Sequence, residues 1–496
     1  MCIIQKFRTI EIIRHSFKIN TPMIFNSLEF ILFFIIVTTS YFLSPHRYRW
    51  LLLLMASCYF YMAFVPIYIL ILGGTILVDY FAGIYIENSA GKRRRQLLIL
   101  SIVTNVGVLV VFKYYNFFIE NINLASGSEW LLHLKILLPI GLSFHTFQAM
   151  SYTIEVYRGN QKAERHFGIY SLYVMFYPQL VAGPIERPQN LLHQFHNKHD
   201  FDADEFYIGF KMMLWGLFKK VVIADRLAII VNEVFQDPRA HNSTMLFIAS
   251  VFFAIQIYCD FSGYSSIAIG AARVMGFKLM TNFNNPYASK TISEFWKRWH
   301  ISLSTWFKDY LYISLGGNRV SIPRWYLNLF LVFLVSGFWH GANWTFIIWG
   351  ALHGFYLVFA LMLNSTKFIR GINSYFSKRS RYRDFFQIPL TFLLVTFAWI
   401  FFRSNNLSDA FYIIKKIFSN NWGTLQDEGV FPLISYPISI LLIVFLFFSE
   451  ARFIDKLIEE KLSENLGKNL LFGILVLSLI LTIGVFKKLS FIYFQF

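Results

Sequence analysis

Long apolar runs recur along almost the whole chain, and they constrain its fold more than any other feature. A membrane-spanning helix needs about 20 mostly apolar residues, so the 496 residues leave room for about ten spans and for almost no separate soluble domain. The runs lie at about residues 28–44, 50–63, 66–86, 96–118, 135–157, 170–183, 206–231, 244–275, 325–339, 343–363, 386–402, 433–449 and 469–486. The sequence therefore predicts an all-α, polytopic integral membrane protein.

Several of these runs do not have the length of a simple span. Some are too short, and the run at 244–275 is too long for one span. Short or broken helices occur at membrane depth only where they are buried in protein or line a cavity. We therefore expect broken helices rather than a bundle of straight spans. No inverted repeat of the kind found in many transporters is visible.

The charge of the chain fits a membrane protein better than a nucleic-acid-binding one. Charged residues make up 15% of the chain, against about 25% in soluble proteins. The net charge of +17 comes from basic residues in short loops between apolar runs, as the positive-inside rule predicts. DNA-binding proteins instead cluster basic residues on one soluble face. We therefore expect the lipid bilayer, and no nucleic acid, as a partner.

Two strongly basic loops predict the orientation in the membrane. They are GKRRR at 91–95 and SKRSRYR at 377–383, and both are expected to be cytoplasmic. Counting spans from the second loop places 451–468 inside and the C-terminal tail outside. The basic residues of 451–468 agree with this count, whereas Lys487 and Lys488 in the tail run against it.

The first 22 residues differ from the rest of the chain. They carry several charged residues and no long apolar core, so they match neither a signal peptide nor a span. Met23 opens a cleaner beginning, MIFNSLEFILFFIIV. We expect residues 1–22 to be an over-extended start or a disordered lead, and residues 23–486 to form the membrane domain.

His340 is the first candidate for chemistry, because ionisable residues at membrane depth are expensive and usually functional. It lies in SGFWHGANW between two apolar segments, where Gly337, Gly341 and Ala342 allow close backbone approach. A neutral imidazole can act as a general base near pH 7. The alternative is a structural histidine that bonds a neighbouring helix.

His300 is the second candidate. It lies in segment 294–316, which mixes tryptophans with charged residues and is predicted to be an amphipathic or re-entrant helix near the interface. His300 would orient a nucleophile or polarise a carbonyl group, or it would simply face lipid headgroups. For the other intramembrane groups we favour structural roles: helix–helix hydrogen bonds for His145 and His353, and a buried cation partner or a helix cap for Asp260.

Other reactive sites are not supported. His193, His196 and His199 have a spacing typical of metal clusters, but they lie in a hydrophilic stretch that we interpret as a solvated loop. The three cysteines are far apart and form no CxxC pair. The motifs of zincins, α/β-hydrolases and P-loop proteins do not occur. We expect no metal and no bound cofactor.

Five long motifs resemble the membrane-bound O-acyltransferase (MBOAT) family. The similarity is greatest to its branch of alginate O-acetylases, peptidoglycan O-acetyltransferases and teichoic acid D-alanylation enzymes, and it runs from Met23 to the end. The motifs are LPIGLSFHTFQAMSYTIEVYRG, VAGPIERPQNLL, YCDFSGYSSIAIG, FNNPYASKTISEFWKRWHISLSTWFKDYLYISLGGNR and SGFWHGANWTFIIWGALHG.

The resemblance implies a fold, a reaction and site residues. The fold would be a ring of tilted and broken helices around a central tunnel. His340 matches the histidine that is invariant in the family, and His300 matches its second polar position. The chain would take an acyl group from a cytoplasmic thioester, with acetyl-CoA as the expected donor, and deliver it across the inner membrane. A separate SGNH-type partner would then place it on a polysaccharide.

The C-terminus, FIYFQF, resembles the ending of a small membrane partner in teichoic acid D-alanylation. The tyrosine of that ending is thought to accept the acyl group, so the resemblance implies that Tyr493 is a transient acyl carrier in an extracytoplasmic tail at 487–496. A phenol, with a pKa of about 10, loses its proton more readily than a serine hydroxyl. The alternative is an aromatic anchor at the interface.

Two other functions stay open at this point. The chain could acylate a lipid or a protein directly, or it could be a transporter with no acyl chemistry. Broken helices and buried polar groups fit a transporter as well. A transporter would keep its activity after His340→Ala, which separates these classes.

Overall fold

A computed structural model describes residues 23–128, 131–136, 138–181, 183–365, 380–419, 422–424, 435–486 and 491–494. Within these ranges the chain is built from helices, and none of these residues forms a strand. The predicted all-α fold is confirmed. The expected lead at 1–22, residues 377–379 of the second basic loop and the tail residues 487–490, 495 and 496 lie outside the described residues.

The chain divides into two compact units, of which the first comprises residues 1–213 and 267–279. Its helices are α1 (Leu28–Leu43), α2 (His46–Met62), α3 (Ile69–Glu87), α4 (Gly91–Leu109), α5 (Tyr115–Ser126), α6 (Leu142–Arg158), α7 (Phe167–Met175), α8 (Tyr177–Leu180), α9 (Pro188–His196) and the start of α10 (Ala203–Phe218). A buried carboxylate joins α3 to α4, because Asp79 accepts hydrogen bonds from Ser101 Oγ at 2.6 Å and Asn105 Nδ2 at 2.8 Å.

The second unit comprises residues 214–266 and 280–496. Its helices are α11 (Asp225–Gln236), most of α12 (Ser243–Val274), α13 (Ile292–Arg298), α14 (Ile301–Trp306), α15 (Ile322–His340), α16 (Trp344–Ser365), α17 (Ser380–Arg403), α18 (Leu407–Ile417), α19 (Ser435–Arg452), α20 (Ile454–Glu459) and α21 (Leu466–Ile483). Short 3₁₀ turns occur at Pro286–Ala288 and Ile492–Phe494. All three predicted site residues belong to this unit.

Among the described residues, seven helical segments are long and apolar enough to cross a membrane. They are Pro66–Glu87, Gly91–Ser126, Ser243–Val274, Ile322–His340, Trp344–Ser365, Asp384–Arg403 and Leu466–Ile483. Large apolar side chains are exposed on several of these segments, as expected for helices that face lipid and not water. The chain is therefore a multi-pass membrane protein.

The expected breaks occur in some helices and not in others. Segments of π-helix interrupt the chain at Val110–Tyr114, Lys219–Ala224 and Phe307–Tyr312. Segment 294–316, predicted as one element, is divided among α13, α14 and the π-helical segment Phe307–Tyr312. The run at 244–275, in contrast, forms a single helix of 32 residues that is buried along most of its length. Burial in protein explains how a helix longer than the bilayer core persists.

The interpretation of the three-histidine stretch as a loop is wrong in part. Proline at the first position of α9 favours helix formation, and the helix runs as far as His196. His193 and His196 therefore lie in its last turn, and only His199 lies in the loop beyond. The hydrophilic composition of this stretch reflects a helix with an exposed face.

Candidate active site

The hairpin of α15 and α16 positions His340. Two glycines meet where these helices cross: a β-carbon on Gly337 would lie 2.4 Å from the carbonyl oxygen of Phe346, and one on Gly350 would lie 2.4 Å from that of Phe333. Only glycine lets the two backbones approach this closely. The close approach predicted around His340 is therefore present, and it sets where the end of α15 lies.

His340 is the last residue of α15, and its side chain is buried. Its Nδ1 atom lies 2.7 Å from the carbonyl oxygen of Ser336, one helical turn earlier. A carbonyl oxygen can only accept a hydrogen bond, so Nδ1 carries the hydrogen. In a neutral imidazole this leaves Nε2 as the basic nitrogen. Trp339, Trp349 and Phe402 surround the ring, with centroid distances of 4.9, 4.8 and 5.6 Å.

His300 occupies the joint between α13 and α14. Its backbone is left-handed, with φ of 43° and ψ of 55°, a conformation that few residues other than glycine and asparagine adopt. Asn282 holds the turn that follows: Ile301 N–H donates to the Asn282 carbonyl oxygen at 2.9 Å, and Ser302 Oγ donates to Asn282 Oδ1 at 2.9 Å. These bonds fix a fully buried imidazole at the break in the chain.

Tyr493 lies in the 3₁₀ turn Ile492–Phe494, close to the C-terminus. Its ring packs on that of Phe261 in α12, at a centroid distance of 4.3 Å, and its hydroxyl oxygen is buried. Phe491 and Ile492, just before it, are buried as well. The described part of the tail is thus packed into the second unit rather than extended away from it.

The three predicted site residues come together in one aromatic cluster. The Tyr493 ring lies 5.9 Å from the His340 ring and 6.3 Å from the His300 ring, between centroids. Phe261 packs edge to face on His300 at 4.6 Å, and so contacts both His300 and Tyr493. A phenol between two imidazoles, walled by apolar rings, combines a nucleophile, a base and a hydrogen-bond donor in one place.

Burial shifts the pKa of both His300 and Tyr493. Loss of solvent, with a smaller contribution from the neighbouring His340, holds the pKa of His300 well below its usual range. His300 is therefore neutral and keeps one N–H donor. Burial also raises the pKa of the Tyr493 phenol above its ordinary value, so the hydroxyl keeps its proton until a base removes it.

The remaining intramembrane groups have the structural partners that we expected. His145 Nε2 in α6 lies 3.5 Å from Thr75 Oγ1 in α3. Trp296 Nε1 in α13 donates to His353 Nδ1 in α16 at 3.2 Å. Of the two roles expected for Asp260, the pairing with a buried cation is present, since Lys220 Nζ lies 2.8 Å from its Oδ1 atom.

Two residues that serve this region were missed by the sequence analysis. Asn282 supports the His300 turn, and Lys220 is the cation that pairs with Asp260. The only signal for Asn282 was the asparagine-rich stretch NFNNP ahead of segment 294–316. Lys220 lay within a run that looked simply apolar.

The three histidines of the HxxHxxH stretch have separate partners. His193 Nδ1 lies 3.0 Å from the Gln189 carbonyl oxygen, and His196 Nε2 lies 2.8 Å from Glu164 Oε2. His199 Nε2 lies 2.9 Å from the Gln194 carbonyl oxygen. Within the part of the chain that the structure describes, no three histidine, cysteine, aspartate or glutamate residues are grouped as metal ligands.

Comparison with known proteins identifies a family model that matches residues 160–407, described as MBOAT, membrane-bound O-acyltransferase family. The matched range includes both His300 and His340. Tyr493 and the C-terminal segment lie beyond it.

Curated proteins from several bacteria are similar over most of the chain. A probable alginate O-acetylase, AlgI, of Pseudomonas aeruginosa is 40% identical over 451 residues, which cover 88% of this chain and 84% of that protein. A peptidoglycan O-acetyltransferase of Helicobacter pylori is 37% identical, with 74% and 73% covered. A teichoic acid D-alanyltransferase of Bacillus subtilis is 28% identical, with 53% and 68% covered.

Proposed function

Because this chain belongs to the membrane-bound O-acyltransferase family and is an O-acyltransferase, we propose that it takes an acetyl group from a cytoplasmic thioester, acetyl-CoA, and relays it across the inner membrane. The acetyl group would then be attached to hydroxyl groups of an extracytoplasmic polysaccharide. The observation that carries the proposal is the buried cluster of His340, His300 and Tyr493. The names of the O-acetylating relatives support acetyl as the group and an extracellular polymer as its destination.

In the first step Tyr493 is the nucleophile. Its hydroxyl oxygen attacks the thioester carbonyl carbon while Nε2 of His340 removes the phenolic proton. The C–S bond then breaks, the thiolate of coenzyme A leaves, and the imidazolium returns the proton to it. The products are an acetyl ester on Tyr493 and free coenzyme A. The Nδ1 bond to Ser336 supports this role, because it leaves Nε2 without a hydrogen.

His300 has a different role in this step. As a neutral imidazole it offers one N–H, which is suited to the carbonyl oxygen of the thioester, where negative charge develops. The left-handed backbone and the bonds to Asn282 keep that N–H group in a fixed place before the thioester arrives. Such a preorganised donor does not have to reorient during the reaction.

In the second step the acetyl group leaves Tyr493. The segment at 487–496, of which 491–494 are described, is the extracytoplasmic acyl-transfer tail of this proposal. The hydroxyl oxygen of a serine of an SGNH-type partner attacks the carbonyl carbon of the tyrosyl ester, and the bond from that carbon to the Tyr493 oxygen breaks. The serine proton passes to the departing phenolate, and the partner then transfers the acetyl group from its serine to a hydroxyl group of the polysaccharide. A phenol is a better leaving group than an aliphatic alcohol, because in the same surroundings the phenolate is the weaker base.

Mass spectrometry of the C-terminal peptide tests this function. Membranes that contain the protein are incubated with isotope-labelled acetyl-CoA in the absence of the partner, and the labelled acetyl group is expected on Tyr493. Tyr493→Phe keeps the ring and removes the hydroxyl, so it should abolish both the label and polymer acetylation in cells. Tyr61→Phe is the matched control, because it removes a buried phenol hydroxyl from α2, in the first unit, and leaves the rings that contact the tail unchanged.

Full polymer acetylation by Tyr493→Phe would exclude the relay through Tyr493. Acetylation of Tyr493 with unlabelled acetyl groups only, in the presence of labelled acetyl-CoA, would exclude that donor. Polymer acetylation that persists after His340→Ala would favour a transporter.

A further inference from the structure

A buried ion network lies directly behind the C-terminal segment. Lys220 Nζ lies 2.8 Å from Asp225 Oδ1 and 2.8 Å from Asp260 Oδ1, and all three side chains are buried. The Lys220 ammonium also lies 5.7 Å from the centre of the Tyr264 ring. Buried charges persist where they are paired in this way. The pairing with Lys220 holds the Asp260 carboxylate in one orientation.

The second oxygen of Asp260 reaches the tail. The backbone N–H of Ile492 donates to Asp260 Oδ2 at 2.8 Å. Ile492 begins the 3₁₀ turn that carries Tyr493, so its N–H has no partner within that turn. The bond is between a backbone donor and a carboxylate and does not depend on the side chain at position 492.

The same face of α12 packs the rings of the tail. Asp260 and Tyr264 are one helical turn apart and therefore share a face. Phe491 stacks on Tyr264 at a centroid distance of 4.4 Å, and Tyr493 packs on Phe261 at 4.3 Å. One hydrogen bond thus lies between two ring contacts, and together they define where the Tyr493 phenol lies.

A second set of bonds holds the chain where the tail begins. Val485 N–H donates to the Val221 carbonyl oxygen at 2.8 Å, and Arg226 Nη2 donates to the Ile483 carbonyl oxygen at 2.6 Å. Val221 and Arg226 flank the segment that also supplies Asp225. The end of α21 and the turn around Tyr493 are therefore attached to neighbouring parts of one buried region.

We propose that Asp260 is a positioning residue: through the backbone N–H of Ile492 it docks the tail so that the Tyr493 phenol lies beside His340 and His300, and Lys220 keeps that carboxylate in place. This inference rests on the proposed function of Tyr493 as the acyl carrier. Asp260 itself does not contact the reacting atoms. Its effect is to raise the fraction of molecules in which the nucleophile is in place.

Ile492→Pro tests the bond without disturbing the ion network. Proline lacks the N–H and is tolerated at the first position of a helical turn. Ile492→Ala is the matched control, since it also shortens the side chain but keeps the donor. In both variants p-azidophenylalanine replaces Tyr493, and cross-links from position 493 to the peptides that contain Phe261 or His340 are measured by mass spectrometry after illumination, with no acyl donor present.

The cross-link yield should fall about tenfold or more in Ile492→Pro relative to Ile492→Ala, as expected for loss of a hydrogen bond to a charged group. Asp260→Asn should give a similar loss, because its amide nitrogen would face either the Lys220 ammonium or the Ile492 N–H. If Asp260→Asn fails to fold, Ile492→Pro still decides the question. Equal yields in the proline and alanine variants would overturn the inference.

The same substitutions in the chain with native Tyr493 separate the two proposals. Polymer acetylation should fall in Ile492→Pro and be largely kept in Ile492→Ala. If the cross-link is lost in Ile492→Pro but acetylation stays at the wild-type level, the docking inference stands and the acyl-carrier proposal fails. If cross-linking and polymer acetylation are both lost in Ile492→Pro and both kept in Ile492→Ala, both proposals are supported.

Discussion

Nδ1 of His340 donates a hydrogen bond to the carbonyl oxygen of Ser336, 2.7 Å away. The acceptor is a backbone atom in the last turn of α15, so no side-chain substitution at Ser336 removes it. The bond fixes both the tautomer and the orientation of the ring. It also leaves Nε2 as the nitrogen that can take up a proton, on the imidazole whose ring is 5.9 Å from that of Tyr493.

We predict that His340→Ala lowers acetyl transfer by about 10²- to 10⁴-fold, the usual effect of losing a general base. The measurement is acetylated polymer in cells, together with labelled acetyl on Tyr493 in membranes, both normalised to the amount of membrane-inserted protein. His145→Ala is the control, because it removes another buried histidine, from the first unit. Normal acetylation by His340→Ala would disprove the assignment of the base.

We predict that removal of the His300 imidazole lowers turnover by about 10²- to 10³-fold, as for the loss of one donor to a developing oxyanion. His300→Ala alone is ambiguous, because a left-handed backbone costs an ordinary L-residue about 1–2 kcal/mol and alanine has no polar side chain to hold it. His300→Gly and His300→Asn tolerate that backbone and also lack the imidazole. Turnover and thermal stability are measured for all three variants.

The expected pattern is low turnover in every His300 variant and a lower melting temperature mainly in His300→Ala. An active His300→Asn enzyme would show that the backbone conformation matters and the ring does not.

We predict that Gly337→Ala destabilises the protein by about 1–3 kcal/mol, the range for overpacking a tight contact. The new methyl group would lie 2.4 Å from a backbone carbonyl oxygen, so α15 and α16 must separate. Acetyl transfer should fall as well, since His340 ends α15. Gly74→Ala in α3 is the control, because its methyl group would meet nothing within 4 Å. Stability is measured by melting curves in detergent, and activity by the acetylation assay. Equal melting temperatures and equal acetylation in the Gly337→Ala and Gly74→Ala variants would contradict the prediction.

We predict that a chain that begins at Met23 inserts and acetylates polymer normally. Met23 and Phe25 are buried, and the Ser27 hydroxyl caps α1 by accepting from Phe30 N–H at 3.1 Å, so the first helix keeps its start. Membrane insertion is measured by fractionation and function by polymer acetylation. Loss of either would show that residues 1–22 contribute.

The sequence predicted the parts of this structure that depend on local pattern. Apolar runs identified an all-α membrane protein, and small residues around His340 predicted the close approach that Gly337 makes. A resemblance in the motifs led to His300 and Tyr493 as well. Local pattern is sufficient here because apolar length and the absence of a side chain act on immediate neighbours.

Other features depend on contacts between distant parts of the chain, and the sequence did not predict them. The partner of Asp260 is Lys220, forty residues earlier in an apolar run, and no spacing rule connects the two. The break at His300 requires a left-handed residue that is stabilised from outside, by Asn282. The ring of helices around a tunnel stays a prediction from the resemblance.

The buried position of the Tyr493 hydroxyl has a consequence for how the enzyme is regulated by its own product. On the proposed function, each chain has a single phenol to load, and an acetylated phenol occupies the place where the next nucleophile would have to be. A loaded enzyme therefore waits until a partner unloads it. Consumption of acetyl-CoA would then stop after one acetyl group per chain whenever no polymer is available.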